Sequence, residues 1–183
     1  MSSLFLWFYC LDLPFALFLI AAMTSLFVAL RQRFRKRTVW KPGIAALFCL
    51  WAVLVIWKTV LSRKAVPGAS EIQPLFHSYL QVLHGGNREI LRSNLMNVFL
   101  FYPAGLLIAS LLSEKCKPAI TIVLILFLFT ALSIGIEFCQ YRFGLGETEA
   151  DDVLHNTLGA VSGALVIEAH NRVQRSSQKS KPV

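Results

Sequence analysis

Five long apolar runs most strongly limit how this chain can fold. A helix that crosses a bilayer needs about 20 mainly apolar residues, and inside lipid every backbone polar group must be bonded within the protein. We therefore predict an all-α, polytopic integral membrane helical bundle with about five transmembrane helices, located in the cell membrane as a multi-pass protein. The runs cover residues 13–30, 43–61, 95–112, 118–138 and 153–169.

The composition separates this chain from soluble domains. Hydrophobic residues make up 56% of its 183 residues and charged residues 15%, whereas soluble domains carry roughly 25% charged residues. The net charge of +8 does not indicate nucleic acid, because the basic residues form blocks between apolar runs without interleaved aromatic side chains. We predict one membrane-embedded domain over residues 1–170 and a basic cytoplasmic tail over residues 171–183.

The distribution of Lys and Arg predicts the orientation, since the cytoplasmic connecting segments of membrane proteins carry an excess of both. One set of segments holds twelve of these residues and the other holds five. We therefore expect the N-terminus outside and the C-terminus inside. The twelve are Arg31, Arg33, Arg35, Lys36, Arg37, Lys41, Lys115, Lys117, Arg172, Arg175, Lys179 and Lys181, and the five are Arg63, Lys64, Arg88, Arg92 and Arg142.

Polar side chains around the last two runs are the unusual feature of the sequence. A charged side chain at bilayer depth costs about 2.5–3.5 kcal/mol on insertion scales, so such residues need partners or water nearby. Helical spacing places Ser133, Glu137, Gln140 and Tyr141 on one face of the fourth helix. In the predicted orientation nearly every unusual polar residue, Asp12 included, lies in the outer third of the bilayer. We therefore predict a shared, outward-facing polar pocket.

The fifth helix combines polar and small residues. Asp152, His155 and Asn156 form a polar stripe at its start. Gly159 and Gly163 continue the stripe with GxxxG spacing, which lets two helix backbones approach closely. This face is therefore expected to pack against other helices while its outer end contributes to the pocket.

Two roles are open for the adjacent aspartates that precede the fifth run. Asp151 or Asp152 can cap the helix, or one of them can work with Glu137 as an acid and base pair in different environments. These three carboxylates are the catalytic candidates, although no hydrolase, metalloprotease or phosphate-binding motif accompanies them. An ion-pair network with Arg142 or Lys58 would make them structural instead. A divalent cation would suit oxygen ligands, but the sequence identifies no metal site and no cofactor.

The third run and the outer loop add further expectations. Pro103 removes a backbone donor and frees the Phe99 carbonyl, so we predict a kink with close packing at Gly105.

His77 and His84 lie seven residues apart in a short amphipathic stretch. Without a third ligand they indicate a metal only weakly, and an interfacial helix or a loop over the pocket is the better interpretation. The four cysteines are isolated, and a bridge between Cys10 and Cys139 is conceivable.

Three segments in combination resemble the VanZ-like membrane family. They are NVFLFYPAGLL at 97–107, IEFCQ at 136–140, and Glu149 followed by DDVLHNTLG at 151–159, all inside residues 94–163. IQPLF at 72–76 resembles a looser element of the family, and Tyr102 stands where a more apolar residue is common. The positions that match the recurring residues of the family are Asn97, Pro103, Gly105, Glu137, Gln140, Asp151, Asp152, Asn156 and Gly159.

The resemblance implies a role in the cell envelope, because the family takes its name from a protein linked to resistance to the glycopeptide teicoplanin. Our first hypothesis is a protein that binds or remodels an envelope amphiphile, namely a membrane lipid, a lipid-linked wall precursor or a glycopeptide. The alternatives are an enzyme acting on lipid headgroups and a structural scaffold. The ligand-binding candidates are Asn97, Glu137, Gln140, Arg142, Asp152, His155 and Asn156, and the structural candidates are Pro103, Gly105, Gly159 and Gly163.

Overall fold

A computed structural model describes residues 13–65, 72–85 and 89–179 of the chain. Cys10 and Asp12, which entered two of the sequence-based expectations, lie outside these residues. The described part is mostly helical, as predicted, and it contains six α-helices and two very short strands. In chain order they are α1 (Leu13–Phe34), α2 (Trp40–Ile56), β1 (Ile72–Gln73), α3 (His77–Leu83), α4 (Glu89–Leu112), α5 (Pro118–Phe143), β2 (Thr148–Glu149) and α6 (Ala150–Lys179).

The chain divides into two compact units, Met1–Trp40 and Lys41–Val183. In the first unit, α1 is followed by a short turn that leads to Trp40. The second unit holds all the remaining elements and all the polar residues discussed below.

Four helices are long and apolar enough to cross a membrane. They cover Pro14–Phe34, Trp40–Leu61, Glu89–Leu112 and Pro118–Phe143. The fifth predicted run lies in α6, which is not among these four because polar residues such as His155, Asn156 and Glu168 interrupt its apolar sequence. The same helix continues well past residue 170, so most of the predicted tail is helical.

α2 runs antiparallel to α4. It ends in a π-helical turn, Trp57–Leu61. At its start, Lys41 Nζ lies 2.9 Å from Glu114 Oε2, just beyond the end of α4. Near its middle, Trp51 Nε1 donates a 2.8 Å hydrogen bond to the Leu100 carbonyl. Pro103 lies inside α4, and the indole therefore bonds a carbonyl in the turn that the proline disturbs.

Glycine residues set the contact between α4 and α6. A Cβ on Gly105 would lie 1.9 Å from the Ala160 carbonyl oxygen, and one on Gly159 would lie 2.3 Å from the Val98 oxygen. A Cβ on Gly163 would lie 2.4 Å from the Tyr102 oxygen. These backbones touch directly. The contact of Gly159 with Val98 and that of Gly163 with Tyr102 advance together along both helices, so α4 and α6 are parallel.

α5 packs antiparallel against α6 through polar pairs. Asn156 Nδ2 donates to Ser133 Oγ at 2.8 Å, and the Thr130 and Thr157 hydroxyls lie 3.2 Å apart. Ser133, Glu137 and Gln140 are buried on this face of α5, whereas Tyr141 is exposed. The prediction for Tyr141 was therefore wrong, because at 3.6 residues per turn this residue lies about 80° around the helix from Ser133.

The connection after α2 returns to the start of α6. Ile72 and Gln73 pair in parallel with Thr148 and Glu149, and α3 covers most of the stretch predicted as a short amphipathic helix. We call the end of the second unit that carries β1, β2 and α3 the loop end. The end of α2, the start of α4, the end of α5 and the start of α6 all lie there.

Candidate functional site

Three carboxylates and one cation from different parts of the chain lie together at the loop end. We call Glu137, Glu149 and Asp152 the carboxylate cluster. Glu137 projects from the last turns of α5 and is only 5% exposed, and its Oε2 accepts a 3.0 Å hydrogen bond from the Glu149 backbone N–H. The charge of Arg63, which follows α2, acts on all three carboxylates.

Amide side chains border the cluster. Asn97 on α4 donates a 2.6 Å hydrogen bond from Nδ2 to Asp152 Oδ1. Gln140, one turn beyond Glu137, is buried, accepts from Arg63 Nη1 at 3.3 Å and donates to the Thr59 carbonyl at 3.1 Å. Four elements therefore contribute to one polar region, and Gln140 ties the end of α2 to α5.

Near the cluster, two buried polar groups have atoms without a hydrogen-bond partner. The Asn156 amide uses Nδ2 for Ser133, which leaves Oδ1 unpartnered, and the Thr148 hydroxyl is also unpartnered. Asn156 follows Asp152 by one helical turn, and Ser133 precedes Glu137 by one turn, so this amide lies beneath both carboxylates. Buried polar groups without partners are uncommon in proteins and are typical of ligand or water sites.

Asp151 belongs to a different arrangement, which we call the clasp: Asp151 with Phe76, Ser78 and Asn94. The carboxylate of Asp151 is 1% exposed and accepts hydrogen bonds from the backbone N–H groups of Phe76 and Ser78 and from the Ser78 hydroxyl. Asn94 Nδ2 in turn donates to Ser78 Oγ at 2.9 Å. Asp151 therefore caps α3 from another helix and fastens the loop to α4 and α6.

The clasp holds an unfavourable backbone conformation. Phe76 has φ 67°, a left-handed conformation that is uncommon for a bulky residue. Its N–H is bonded by Asp151, and the preceding residues pair with β2. The contacts of the loop with the start of α6 thus impose this turn.

His155 contacts the loop from the next turn of α6. Its Nε2 lies 2.6 Å from the Tyr79 hydroxyl on α3. The imidazole therefore faces the loop and the clasp, whereas the carboxylate cluster lies on the side of α6 that faces Glu137.

The two adjacent aspartates differ in their ionisation. Burial raises the pKa of Asp152 to about 7, and the charges of Glu137 and Glu149 add to this effect while Arg63 opposes it. Burial also pushes the pKa of Asp151 upward, but the hydrogen bonds from Ser78 and Phe76 outweigh it and bring that pKa below its ordinary value. The pKa of Glu149 is raised by burial and by neighbouring carboxylates.

The structure brings together most, but not all, of the predicted site residues. Asn97, Glu137, Gln140, Asp152 and Asn156 lie around one polar region, and Asp151 and His155 lie beside it in contact with the loop. Arg142 is exposed. Arg63 supplies the nearby positive charge instead, and the sequence offered no periodic signal for it because it follows the second apolar run in a connecting segment.

Metal ligation finds no support in the described part of the chain. No group of three or more His, Cys, Asp or Glu side chains there has an arrangement that could hold a metal ion. His77 pairs with Gln81 at 2.7 Å, and His84 Nδ1 lies 2.7 Å from the Leu80 carbonyl oxygen. Both histidines are thus occupied within their own helical segment.

A second set of buried polar residues lies toward the opposite end of the unit, where the sequence predicted few. Glu168 and Asn171 on α6 are buried there, as are Ser110 near the end of α4 and Thr121 near the start of α5. The expectation that nearly all unusual polar residues gather in the outer third was therefore wrong. These residues lie on helix faces that pack against protein, so their polarity is hidden from lipid.

Comparison with known proteins gives one match. No curated protein and no solved structure matches the chain. The VanZ/LLP1 family matches residues 15–171, a range that includes the carboxylate cluster, the clasp and the glycine contacts between α4 and α6. With four helices apolar enough to cross a membrane, the chain is a multi-pass membrane protein that belongs to the VanZ/LLP1 family.

Proposed function

We propose that this protein binds an envelope amphiphile at the extracytoplasmic surface of the membrane through the carboxylate cluster. The observation that carries the proposal is the convergence of Glu137 from α5 and Asp152 from α6 above Asn156, whose amide lacks a partner at one end. Glu137 is buried and Asp152 is partly buried, and two such carboxylates at neighbouring helix ends are costly unless a ligand or water offsets their charge. A membrane amphiphile reaches this position from the bilayer interface.

The proposal includes five membrane crossings, with the N-terminus outside and the C-terminus inside. α6 has 30 residues, which is a length of about 45 Å at 1.5 Å per residue, and a bilayer core is about 30 Å thick. It packs parallel to α4 along the glycine contacts, and its buried Asn156 and Glu168 face protein. Both observations support a crossing by α6, and the charge distribution supports the loop end as the outer end.

Thiol labelling tests this orientation. In a chain whose native cysteines are replaced by serine, a cysteine at Leu83 should react with a membrane-impermeant maleimide in intact cells. A cysteine at Ser176 should react only after the membrane is permeabilised. The reverse pattern, or labelling of both sites in intact cells, would contradict the orientation.

The binding proposal is tested with Glu137→Gln and Asp152→Asn, singly and together. We expect the purified double variant to lose lipids that the wild type retains, as measured by native mass spectrometry, while its melting temperature at neutral pH does not fall below that of the wild type. Glu168→Gln is the matched control, because it also neutralises a buried carboxylate on α6 but lies toward the opposite end. Equal lipid retention by the wild type and the double variant would reject the proposal.

A contribution to glycopeptide resistance belongs to the same proposal. Expression of the wild type in a susceptible host should raise the inhibitory concentration of teicoplanin, and the double variant, expressed to the same level, should not. If Glu137→Gln instead reduced stability and protection in proportion, a purely structural scaffold would be the better account.

A second candidate function is catalysis on a lipid headgroup. Asp152, with its pKa raised to about 7, stands beside a second carboxylate, and a group that exchanges protons near neutral pH suits general acid catalysis. Asp151 is a poor candidate because three donors hold its charged form. Incubation of the purified protein with membrane lipids should then yield a changed product by mass spectrometry, and that product should disappear with Asp152→Asn.

A further inference from the structure

The carboxylate cluster has more hydrogen-bond acceptors than donors. Within the described part of the chain, Glu137 receives one hydrogen bond, from the Glu149 N–H, and Asp152 receives one, from Asn97. Each carboxylate has two oxygens and room for several donors. The missing partners are therefore donors, and a ligand that completes this region has to supply N–H or O–H groups.

The amide beneath the carboxylates leads to the same conclusion. Asn156 is buried and its Oδ1 is unpartnered. If the amide were turned over, Oδ1 would meet the Ser133 hydroxyl and Nδ2 would lack a partner, so one end stays free in either orientation. With Nδ2 on Ser133, the region presents three acceptor groups on two neighbouring helices: Glu137, Asp152 and Asn156.

The charge balance selects among donor-rich ligands. Burial and the neighbouring carboxylates raise the pKa of Asp152 to about 7 and also raise that of Glu149, while the charge of Arg63 opposes both shifts. The carboxylates of the cluster therefore repel one another. A phosphate or carboxylate placed against Glu137 and Asp152 would add to this repulsion. A cationic group would relieve it.

We propose that the carboxylate cluster binds the protonated primary amine of a membrane amphiphile, with Glu137, Asp152 and Asn156 accepting its three N–H bonds. An alkylammonium group has three donors and no acceptor, which matches the three acceptor groups. Charge-assisted hydrogen bonds of this kind are roughly twice as strong as neutral ones. This inference rests on the proposed function and names the class of headgroup that the site takes.

Three lipids that differ in the headgroup test the inference. The protein in nanodiscs is offered phosphatidylethanolamine, phosphatidylcholine and phosphatidylglycerol in equal amounts, and the retained lipids are measured by native mass spectrometry. Phosphatidylcholine carries the positive charge without N–H donors, and phosphatidylglycerol carries hydroxyl donors without the positive charge. We expect phosphatidylethanolamine to be retained at least tenfold over either competitor.

Variants connect the preference to the named acceptors. Asp152→Asn and Glu137→Gln should each remove the preference for phosphatidylethanolamine, Asn156→Ala should reduce it several-fold, and Glu168→Gln should leave it unchanged. Soluble glycerophosphoethanolamine serves as the competitor that separates a membrane amine from a free one. If this soluble compound displaced phosphatidylethanolamine at equal concentration, recognition of an ammonium group would be upheld, but the proposal that the amine belongs to a membrane lipid would be overturned.

The outcomes separate this inference from the function on which it rests. Suppose that the wild type retained phosphatidylglycerol or phosphatidylcholine to the same extent as phosphatidylethanolamine, and that the double variant lost all of these lipids. Recognition of the amine would then be wrong, and binding of an amphiphile would stand. If no lipid were retained differently by the wild type and the double variant, both would be wrong. The lipid preference of the wild type decides the headgroup even where a variant does not fold.

Discussion

Asp151 and Asp152 are neighbours in the chain, yet they belong to two regions with opposite physical properties. Asp151 in the clasp is buried and accepts three hydrogen bonds, so its charged form is stabilised. Asp152 in the carboxylate cluster accepts one hydrogen bond and lies beside other carboxylates, so its charged form is disfavoured. The first aspartate therefore stabilises the fold, whereas the charge of the second lacks sufficient partners within the described part of the protein.

The largest expected effect is on stability, from Asp151→Ala. This change leaves three donors without an acceptor, and hydrogen bonds to charged groups contribute about 1.5–3 kcal/mol each. We expect the free energy of unfolding to fall by about 3 kcal/mol or more, seen as a lower melting temperature in detergent. Asp152→Ala is the matched control and should cost about 1 kcal/mol or less, because one hydrogen bond is lost and carboxylate repulsion is relieved. Equal losses in the two variants would remove the distinction between the regions.

The second prediction concerns pH. Because the pKa of Asp152 is raised in the folded state, from an ordinary 3.8 to about 7, the stability it contributes is fully present below pH 3.8 and is lost as the pH rises to about 7. Asp151, whose pKa is lowered, acts in the opposite direction, and its contribution is lost only as the pH falls below its ordinary value.

Asp152→Asn should therefore raise the melting temperature at pH 7.5 relative to the wild type and flatten the profile between pH 4 and 7. Asp151→Asn should instead leave the slope in that window unchanged and lower the melting temperature at neutral pH. A wild-type profile that stayed flat between pH 4 and 7 would show that Asp152 titrates normally.

The third prediction tests the second attachment of the loop. Tyr79→Phe removes the hydroxyl that meets His155 Nε2, so we expect a loss of about 1 kcal/mol in stability. Lipid retention should not change, because Tyr79 contacts His155 beside the clasp and not the carboxylate cluster. Tyr141→Phe, at an exposed tyrosine on α5, is the control. Loss of lipid retention in Tyr79→Phe alone would extend the binding region to the loop.

The smallest effect is expected from Arg142→Ala. This arginine is exposed, and surface substitutions away from special features usually change stability by less than about 0.5 kcal/mol. Arg63→Ala should differ, because it removes the cation beside the carboxylates and the hydrogen bond to Gln140. We expect its lipid retention to change measurably while Arg142→Ala matches the wild type. An effect of Arg142→Ala as large as that of Arg63→Ala would restore Arg142 to the site.

The helical class and the residues that could share a helix face follow from the amino-acid sequence. Apolar runs of near-bilayer length have few alternatives to a helix, and the periodicity of 3.6 residues placed Ser133, Glu137 and Gln140 together. GxxxG spacing pointed to close backbone packing for the same local reason. Each of these features depends on residues within a few turns of one another.

The partners of those helix faces depend on contacts between distant parts of the chain. The bond between Phe76 and Asp151 joins residues 75 positions apart, and the Arg63 contact with Gln140 spans 77 positions. Such pairings leave no periodic mark in the sequence, and neither do the short strands that align the loop with α6. Asp151 and Asp152 are the same residue type at adjacent positions of one helix. Their different roles therefore arise from the donors and charges that other elements place beside each of them.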